Sequence, residues 1–392
     1  MPTITHRNDT YKITVSCGYD TTGKQIRRHM TWKPAPNMTK KQIEKELQRQ
    51  AVLFEEQCQG LAASANIKFE TFAEQWFEEY ANVKLKERTK QRYKSLCPRT
   101  YAAIGHLRLD KITTRQIQAF MNNLGENGIN QRTGGGLSPK TIRHYHSFIS
   151  TVLDYAIHMG MLNNNPCRRV ILPPMEQVER DCYTLEEAQQ FLDLLQNEPV
   201  KWLAFFTLAI YGGFRRGEIL GLEWKDIDFK TGLIHICRTS LYTKEKGTYT
   251  DTPKTKGSVR TIKLPLCVMD VLKRHRAEQN MERLRMGDQW HNHDRLFTQL
   301  NGEPLGASAP YAWLQKFCKR TGMRFVGIHS FRHLNASLLI NSGVDVRTVS
   351  ASLGHSNTST TLNIYAHTFA EAQANASEAV ANALDFKVKK QA

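Results

Sequence analysis

Near its C-terminal end the chain reads LGHSNTSTTLNIYAH, from Leu353 to His367, with Tyr365 behind a run of small polar residues. Earlier comes HSFRH, from His329 to His333, and far upstream GGFRRGEI, from Gly212 to Ile219. Breaking a phosphodiester without a metal needs a nucleophile in line with the leaving oxygen. It also needs cationic donors for the non-bridging oxygens and an acid for the departing alkoxide. Arginine suits the cationic task, because its planar fork makes two parallel bonds and keeps its charge. Tyrosine, with a pKa of about 10, suits the nucleophilic one only where such cations stabilise the phenolate. Brought together, Arg215, Arg332, His329, His355 and Tyr365 would suit an attack on a phosphate.

Each residue also has a plainer reading. Tyr365, preceded by Leu362 and Ile364, fits an ordinary core aromatic, and Arg216 competes with its neighbour Arg215 as a phosphate clamp. His329 fits a helix cap and His333 a surface position. His355 follows Gly354 at a helix end, where a protonated imidazole suits the dipole.

The bulk composition narrows the partner. Among 392 residues, 54 Lys and Arg outnumber 37 Asp and Glu, a formal net charge of +17, which favours a polyanion such as nucleic acid. Eight cysteines are scattered, with no C-x-x-C pair and no histidine at zinc-ligand spacing. No stretch approaches the roughly 20 apolar residues of a membrane span, and MPTITHRNDTYKITV lacks a signal-peptide core. The expectation is a cytoplasmic protein with reduced thiols used as small core residues.

The elements that must carry these residues can be read in order. YKITVSCGYDTTGKQIRRHMTW alternates as strands around a turn, with a short strand before it and a helix from Thr39 after it. Lys12, Lys24, Arg27 and Arg28 on those strands suit either a basic face for a DNA groove or a solvated hairpin. TFAEQWFEEYANV spaces Phe72, Trp76 and Tyr80 along one helix side. KLKERTKQRYK then carries Lys84, Lys86, Arg88, Lys90, Arg92 and Lys94 against the single Glu87, which favours phosphate contact over a solvated face of mixed sign. Helices are expected after a cap at Thr113 or Thr114 and from Ser138-Pro139, the latter placing Lys140 and Arg143 at a helix start. Arg168 to Tyr183 reads as a linker, and Thr184 with Glu187 as a capping box opening the next helix. GLIHICRTSLYT and SVRTIKLP form a short β section. Gly343 ends one helix, and another runs from about Asp345 to Gly354. FAEAQANASEAVANALDF is helical in propensity.

Gly213-Phe-Arg215-Arg-Gly-Glu218, His329-Ser-Phe-Arg332, Leu353-Gly-His355 and Tyr365 resemble, in order and approximate spacing, the signature of the tyrosine recombinases, nearest to phage and conjugative-transposon integrases. The resemblance implies a multidomain α+β fold: an arm-type DNA-binding unit of sheet plus helix over residues 1–62, an all-α core-binding domain over 66–168, and a mainly α catalytic domain with a small β-sheet over 175–392. It implies that Arg215 and Arg332 clamp the scissile phosphate, that His329 and His355 add hydrogen bonds or proton traffic, and that Tyr365 attacks. The family's general acid is a lysine in a β-hairpin turn, for which TDTPKTKGSVRTIKLP offers Lys254 first and Lys256 second. Glu218 would orient Arg215.

The resemblance further implies double-stranded DNA attachment sites of core and arm types, a homotetramer on DNA and exchange through a Holliday junction. Metal and cofactor play no part in such chemistry, and no membrane is involved. An accessory excision or DNA-bending protein belongs to this picture, as does a bacterial, nucleoid-associated location. A type IB-like topoisomerase, a host-type chromosome-dimer recombinase and a catalytically silent DNA-binding regulator are the competing readings. The Ala-rich C-terminal helix suits docking onto a neighbouring subunit or covering its own domain.

Overall fold

The structure, a computed structural model, describes residues 2–7, 9–19, 25–35, 38–59, 67–175, 181–252 and 256–365. The chain divides into two compact units, Met1–Gln177 and Val178–Ala392.

The first unit opens with an antiparallel sheet of β1 (Thr3–Arg7), β2 (Thr10–Tyr19) and β3 (Gln25–Trp32), in that order. Alternation along β2 buries Ile13, Val15 and Cys17 on one face. They meet Leu47, Ala51, Phe54 and Cys58, which the 4-3-4 spacing places along one side of α1 (Lys40–Gln59). Paired residues share a sheet face. Lys12↔Thr31, Thr14↔His29 and Ser16↔Arg27 therefore lie together on the open face, whereas Arg28 pairs with Val15 on the helix-covered face. The four basic positions expected on one face are thus split: Lys12 and Arg27 share the open side, Arg28 does not, and Lys24 lies outside the described residues.

The helical remainder of this unit runs through α2 (Phe69–Trp76), α3 (Asn82–Lys84), α4 (Glu87–Thr100), α5 (Thr114–Leu124) and α6 (Pro139–His158). A π-helical turn, Phe77–Ala81, joins α2 to α3, so Phe72 and Trp76 point into the core and Tyr80 packs at its margin. Thr113 closes a capping box with Gln116, and Ser138 accepts from Thr141 N ahead of Pro139, as their spacing predicts. Trp76, Ile104, Ile117, Phe148, Ile149 and Val152 form the centre.

Much of the expected linker is bound down. Ile171 exchanges two hydrogen bonds with the Gln118 side chain (2.8 and 2.9 Å), while Val170 and Leu172 cover the helical core. At the other end of that stretch Tyr183 is a core residue of the second unit, its hydroxyl donating to the Arg324 carbonyl at 2.7 Å. Apolar positions inside a charged, proline-broken stretch decide this, because burying them gains more than leaving the segment loose.

The second unit is built around α8 (Val200–Gly212), whose residues are buried on nearly every side. An all-round apolar helix must be surrounded. Around it stand α7 (Leu185–Leu195), capped by Thr184 and Glu187, then α9 (Arg216–Gly221), α10 (Leu266–Met286), α11 (Ala309–Thr321), α12 (Ile328–Asn341) and α13 (Val346–Leu353). Residues 358–365 form a last described helix. Two small sheets complete the unit: β4 (Ile227–Asp228), β5 (Leu233–Ile236) and β8 (Arg260–Lys263) in one, β6 (Thr239–Thr243) and β7 (Gly247–Asp251) in the other. The strands flanking the candidate lysines are therefore not each other's partners, since β7 pairs with β6 and β8 with β5. The segment is a connection between two sheets rather than the turn of one hairpin. Among the described residues, no helix is long and apolar enough to cross a membrane.

Candidate active site

The C-terminal end of α13 organises the site. A helix end leaves its last carbonyls without intrahelical donors. Here three consecutive ones are taken by three arginines from three other elements. Arg260 Nε donates to Ser352 O at 2.7 Å, Arg332 Nη2 to Leu353 O, and Arg215 Nη2 to Gly354 O at 3.3 Å. The partial negative charge of the helix end suits these cations. Gly354 turns the chain away at φ +65, and a Cβ there would lie 2.8 Å from Arg260 Nη1. His355 comes next, its Nδ1 at 2.8 Å from Thr361 Oγ1.

Each arginine has a second anchor. Arg215 sits at the N-cap of α9, where Nη1 donates to Glu218 Oε1 at 2.7 Å and its backbone N–H to Oε2 at 3.0 Å. Arg260 Nη2 donates to Glu218 Oε2 at 2.9 Å. Arg332, only 1% exposed, gives Nη1 to Gly213 O at 2.8 Å. Gly213 ends α8 at φ +57, packed so closely that a Cβ would meet Asn335 Oδ1 at 2.5 Å. Asn335 in turn donates to the Ile210 and Tyr211 carbonyls, closing the end of α8.

Two guanidinium groups thus share one carboxylate, and with Arg332 close enough to feel them the cluster carries excess positive charge. Burial alone would raise the Glu218 carboxyl, but the hydrogen bond from Arg260 and the charges of Arg260 and Arg215 outweigh it and hold the pKa below the usual range. Burial, and then the charge of Arg215, pull Arg332 down to about 9, so it stays protonated at neutral pH. Burial, followed by Arg332, Arg215 and Arg260, pulls His355 down to about 4, so its imidazole is neutral there.

Tyr365 belongs to the same unit. It is 5% exposed, packed with Ala336, Ile340, Val349 and Leu353, and its hydroxyl lies 2.7 Å from His333 Nδ1. His333 is 6% exposed, which corrects its reading as a surface residue. Its position four after His329 puts both on one face of α12, with ring centroids 4.9 Å apart at 85°, and that spacing was the available signal. Arg260 also escaped the sequence reading as a site residue, because an arginine in an alternating strand looks solvent-facing. Lys254 lies outside the described residues, and Lys256 begins a 3-10 turn, Lys256–Ser258.

The basic positions of the helical unit are less uniform than their sequence suggests. Lys84, Lys86, Arg88, Arg92, Lys94 and Lys140 are exposed. Lys90 is drawn to Glu87 at 3.0 Å, and Arg143 Nη2 donates to Pro173 O at 2.9 Å. Among the described residues, no group of three His, Cys, Asp or Glu side chains gathers as a metal site.

A buried tyrosine hydroxyl beside a histidine, with clustered arginines on the same mainly α unit, is an arrangement that suits phosphoryl transfer. Comparison with known proteins agrees. The model of the Phage integrase family matches residues 182–372, and that of the Phage integrase, N-terminal SAM-like domain matches residues 68–125. A tyrosine recombinase XerC-like protein of Caldanaerobacter subterraneus subsp. tengcongensis is 32% identical over 393 residues, spanning 94% of this chain and 95% of that protein. The ICEBs1 integrase of Bacillus subtilis is 28% identical over 369 residues, spanning 93% and 95%. The chain belongs to the phage integrase family and is a tyrosine recombinase. In fold it is similar to the Tn1549 transposon integrase solved with transposon right end DNA, with TM-score 0.65 and 21% identity over 80% of this chain and 100% of that one. It is also similar to a lambda integrase dimer bound to a COC' core site, with TM-score 0.54 and 17% identity over 92% and 93%.

Proposed function

We propose that this recombinase is the integrase of a mobile element, and that Arg215, Arg332, His329, His355 and Tyr365 form its catalytic set, with Lys254 or Lys256 as the general acid. The observation that carries this reading is the row of three arginines on the last carbonyls of α13. Each guanidinium has five N–H donors; two are occupied by the anchors described, and on Arg260 a third goes to Ser258 O at 3.1 Å, which leaves others for a phosphate. Arg215 and Arg332 clamp the non-bridging oxygens. Glu218 keeps Arg215 oriented, and the neutral His355 adds a hydrogen bond without adding charge.

Tyr365 attacks the phosphorus. The P–O bond to the 5′ carbon breaks, the 5′ oxygen takes a proton from the lysine, and a 3′-phosphotyrosyl link keeps the bond energy for religation. Four protomers hold two duplexes and exchange strands in two steps through a Holliday junction. Residues 66–168 and 175–392 serve as core-binding and catalytic domains on the core site. Residues 1–62 hold arm-type sites through the open sheet face carrying Lys12 and Arg27. Tethering two DNA-binding units in this way raises the effective concentration at the synapse. The protein acts on the bacterial nucleoid in the cytoplasm, with an accessory excision or DNA-bending protein setting direction.

The test is a nicked suicide duplex carrying the element's end sequence, incubated with wild type and with Tyr365→Phe without metal. A covalent adduct is expected with wild type alone, mapped to Tyr365 by peptide mass. An adduct with the Phe variant, or clean binding of a cognate site without any adduct, overturns the assignment.

A further inference from the structure

The Tyr365 hydroxyl makes a close polar contact with His333 that no catalytic role yet uses. The hydroxyl lies 2.7 Å from Nδ1, and both side chains are almost completely buried. The rings are 5.6 Å apart at 56°, which keeps them in edge contact rather than stacked. His333 follows Arg332 in α12, so one helical step aims the guanidinium at the carbonyls of Gly213 and Leu353 and the imidazole at the tyrosine. His329, exposed and one turn earlier, lies edge-on to His333 and gives the buried pair a route towards solvent.

We propose that His333 is a catalytic residue, the base that takes the proton from Tyr365 as the tyrosine attacks. The proposal rests on reading Tyr365 as the nucleophile. An imidazole carrying its proton on Nε2 presents the Nδ1 lone pair to the hydroxyl. As the phenol oxygen forms its bond to phosphorus, its proton moves to Nδ1 and His333 becomes an imidazolium. The bond from phosphorus to the 5′ oxygen breaks, and that oxygen is protonated by the general acid. On religation the 5′ hydroxyl returns its proton to the general acid as it attacks phosphorus, the bond to the tyrosine oxygen breaks, and His333 returns its proton to the departing phenolate. A buried phenol is a poor nucleophile while it holds its proton, and a neutral imidazole in hydrogen-bond contact is the ordinary remedy.

The full chain is tested on the nicked suicide duplex with His333→Gln and His333→Asn. Both side chains can still accept a hydrogen bond from the hydroxyl, but neither takes its proton. Duplex binding is expected to stay within about twofold of wild type, while the rate of adduct formation falls roughly 100-fold. Replacing Tyr365 by a fluorinated tyrosine of lower phenol pKa should recover roughly tenfold in the His333→Gln background and change wild type much less. Wild-type rates with either variant overturn the proposal, as does a loss that the more acidic tyrosine leaves untouched. Early melting of both variants would assign His333 to the core and overturn it as well. If wild type forms no adduct at Tyr365, the nucleophile reading itself fails. If it does and the His333 variants match it, only this inference fails.

Discussion

Arg260 reaches across the chain to Glu218, placing Nη2 2.9 Å from Oε2 of the carboxylate that also receives Arg215. The strand just beyond the candidate lysines is thereby tied to the helix that begins with a candidate phosphate clamp. Glu218 is 4% exposed, so its charge is tolerated only because these partners surround it.

Glu218→Gln should therefore leave two arginines without their carboxylate. Removing one partner of a buried pair costs about 3–5 kcal/mol, and chemical denaturation should show a loss of that order. Adduct formation should fall at least tenfold, with duplex affinity retained. The depressed carboxyl pKa also sets a direction with pH. Its stabilising contribution is complete above the unfolded carboxylate pKa and is lost as pH falls through the lower folded value, so Glu218→Gln should flatten the acid limb of the stability curve.

His355 gives the opposite kind of group a similar signature. Its pKa of about 4 lies below the ordinary histidine value, so between the two the unfolded chain binds a proton that the folded chain does not. Stability should then fall as pH drops from about 6.5 towards 4, and His355→Gln should remove that part of the slope. A phosphate entering the arginine cluster supplies negative charge beside the ring. NMR titration of His355 should accordingly move upward when a cognate duplex with Tyr365→Phe protein replaces the free protein.

Two glycines with positive φ separate backbone strain from packing. Gly160→Ala, at φ +70 with nothing within 4 Å of the new Cβ, should cost only about 1 kcal/mol. Gly213→Ala drives a methyl onto Asn335 and shifts the carbonyl that holds Arg332. It should lower the unfolding free energy by clearly more than Gly160→Ala and abolish adduct formation, while Gly160→Ala stays active.

Salt dependence should distinguish the lysines and arginines of the α3–α4 region. Arg88→Ala or Lys94→Ala is expected to reduce the slope of log K against log salt by about 0.9 each, the value for one phosphate contact on duplex DNA. Lys90→Ala should change it less, because Glu87 already neutralises that ammonium at 3.0 Å. Equal slopes for all three variants would remove the distinction.

Local chemistry was legible from the sequence wherever local rules decide it. Thr113, Ser138 and Thr184 cap the helices their spacing announced, and Gly343 and Gly354 lie at the ends of α12 and α13. The candidate site was legible in part, as a set of residues to look for, because arginine, histidine and tyrosine in that order and spacing have few other uses on a basic chain. The fold class and family followed from the same residues.

Three matters needed the tertiary structure, each because it depends on contacts remote in sequence. Strand pairing put Arg28 on the helix-covered face while its neighbour Arg27 stayed open, since registry with β2 fixes the faces. The sheet partners of β7 and β8 turned an expected hairpin into a connection between sheets. Packing of the 358–365 helix buried His333 against Tyr365, and the C-terminal carbonyls of α13 gathered Arg215, Arg260 and Arg332. A sequence states which side chains can donate, accept or attack. Which of them meet is decided by the burial of the apolar faces between them, and that is a property of the whole domain.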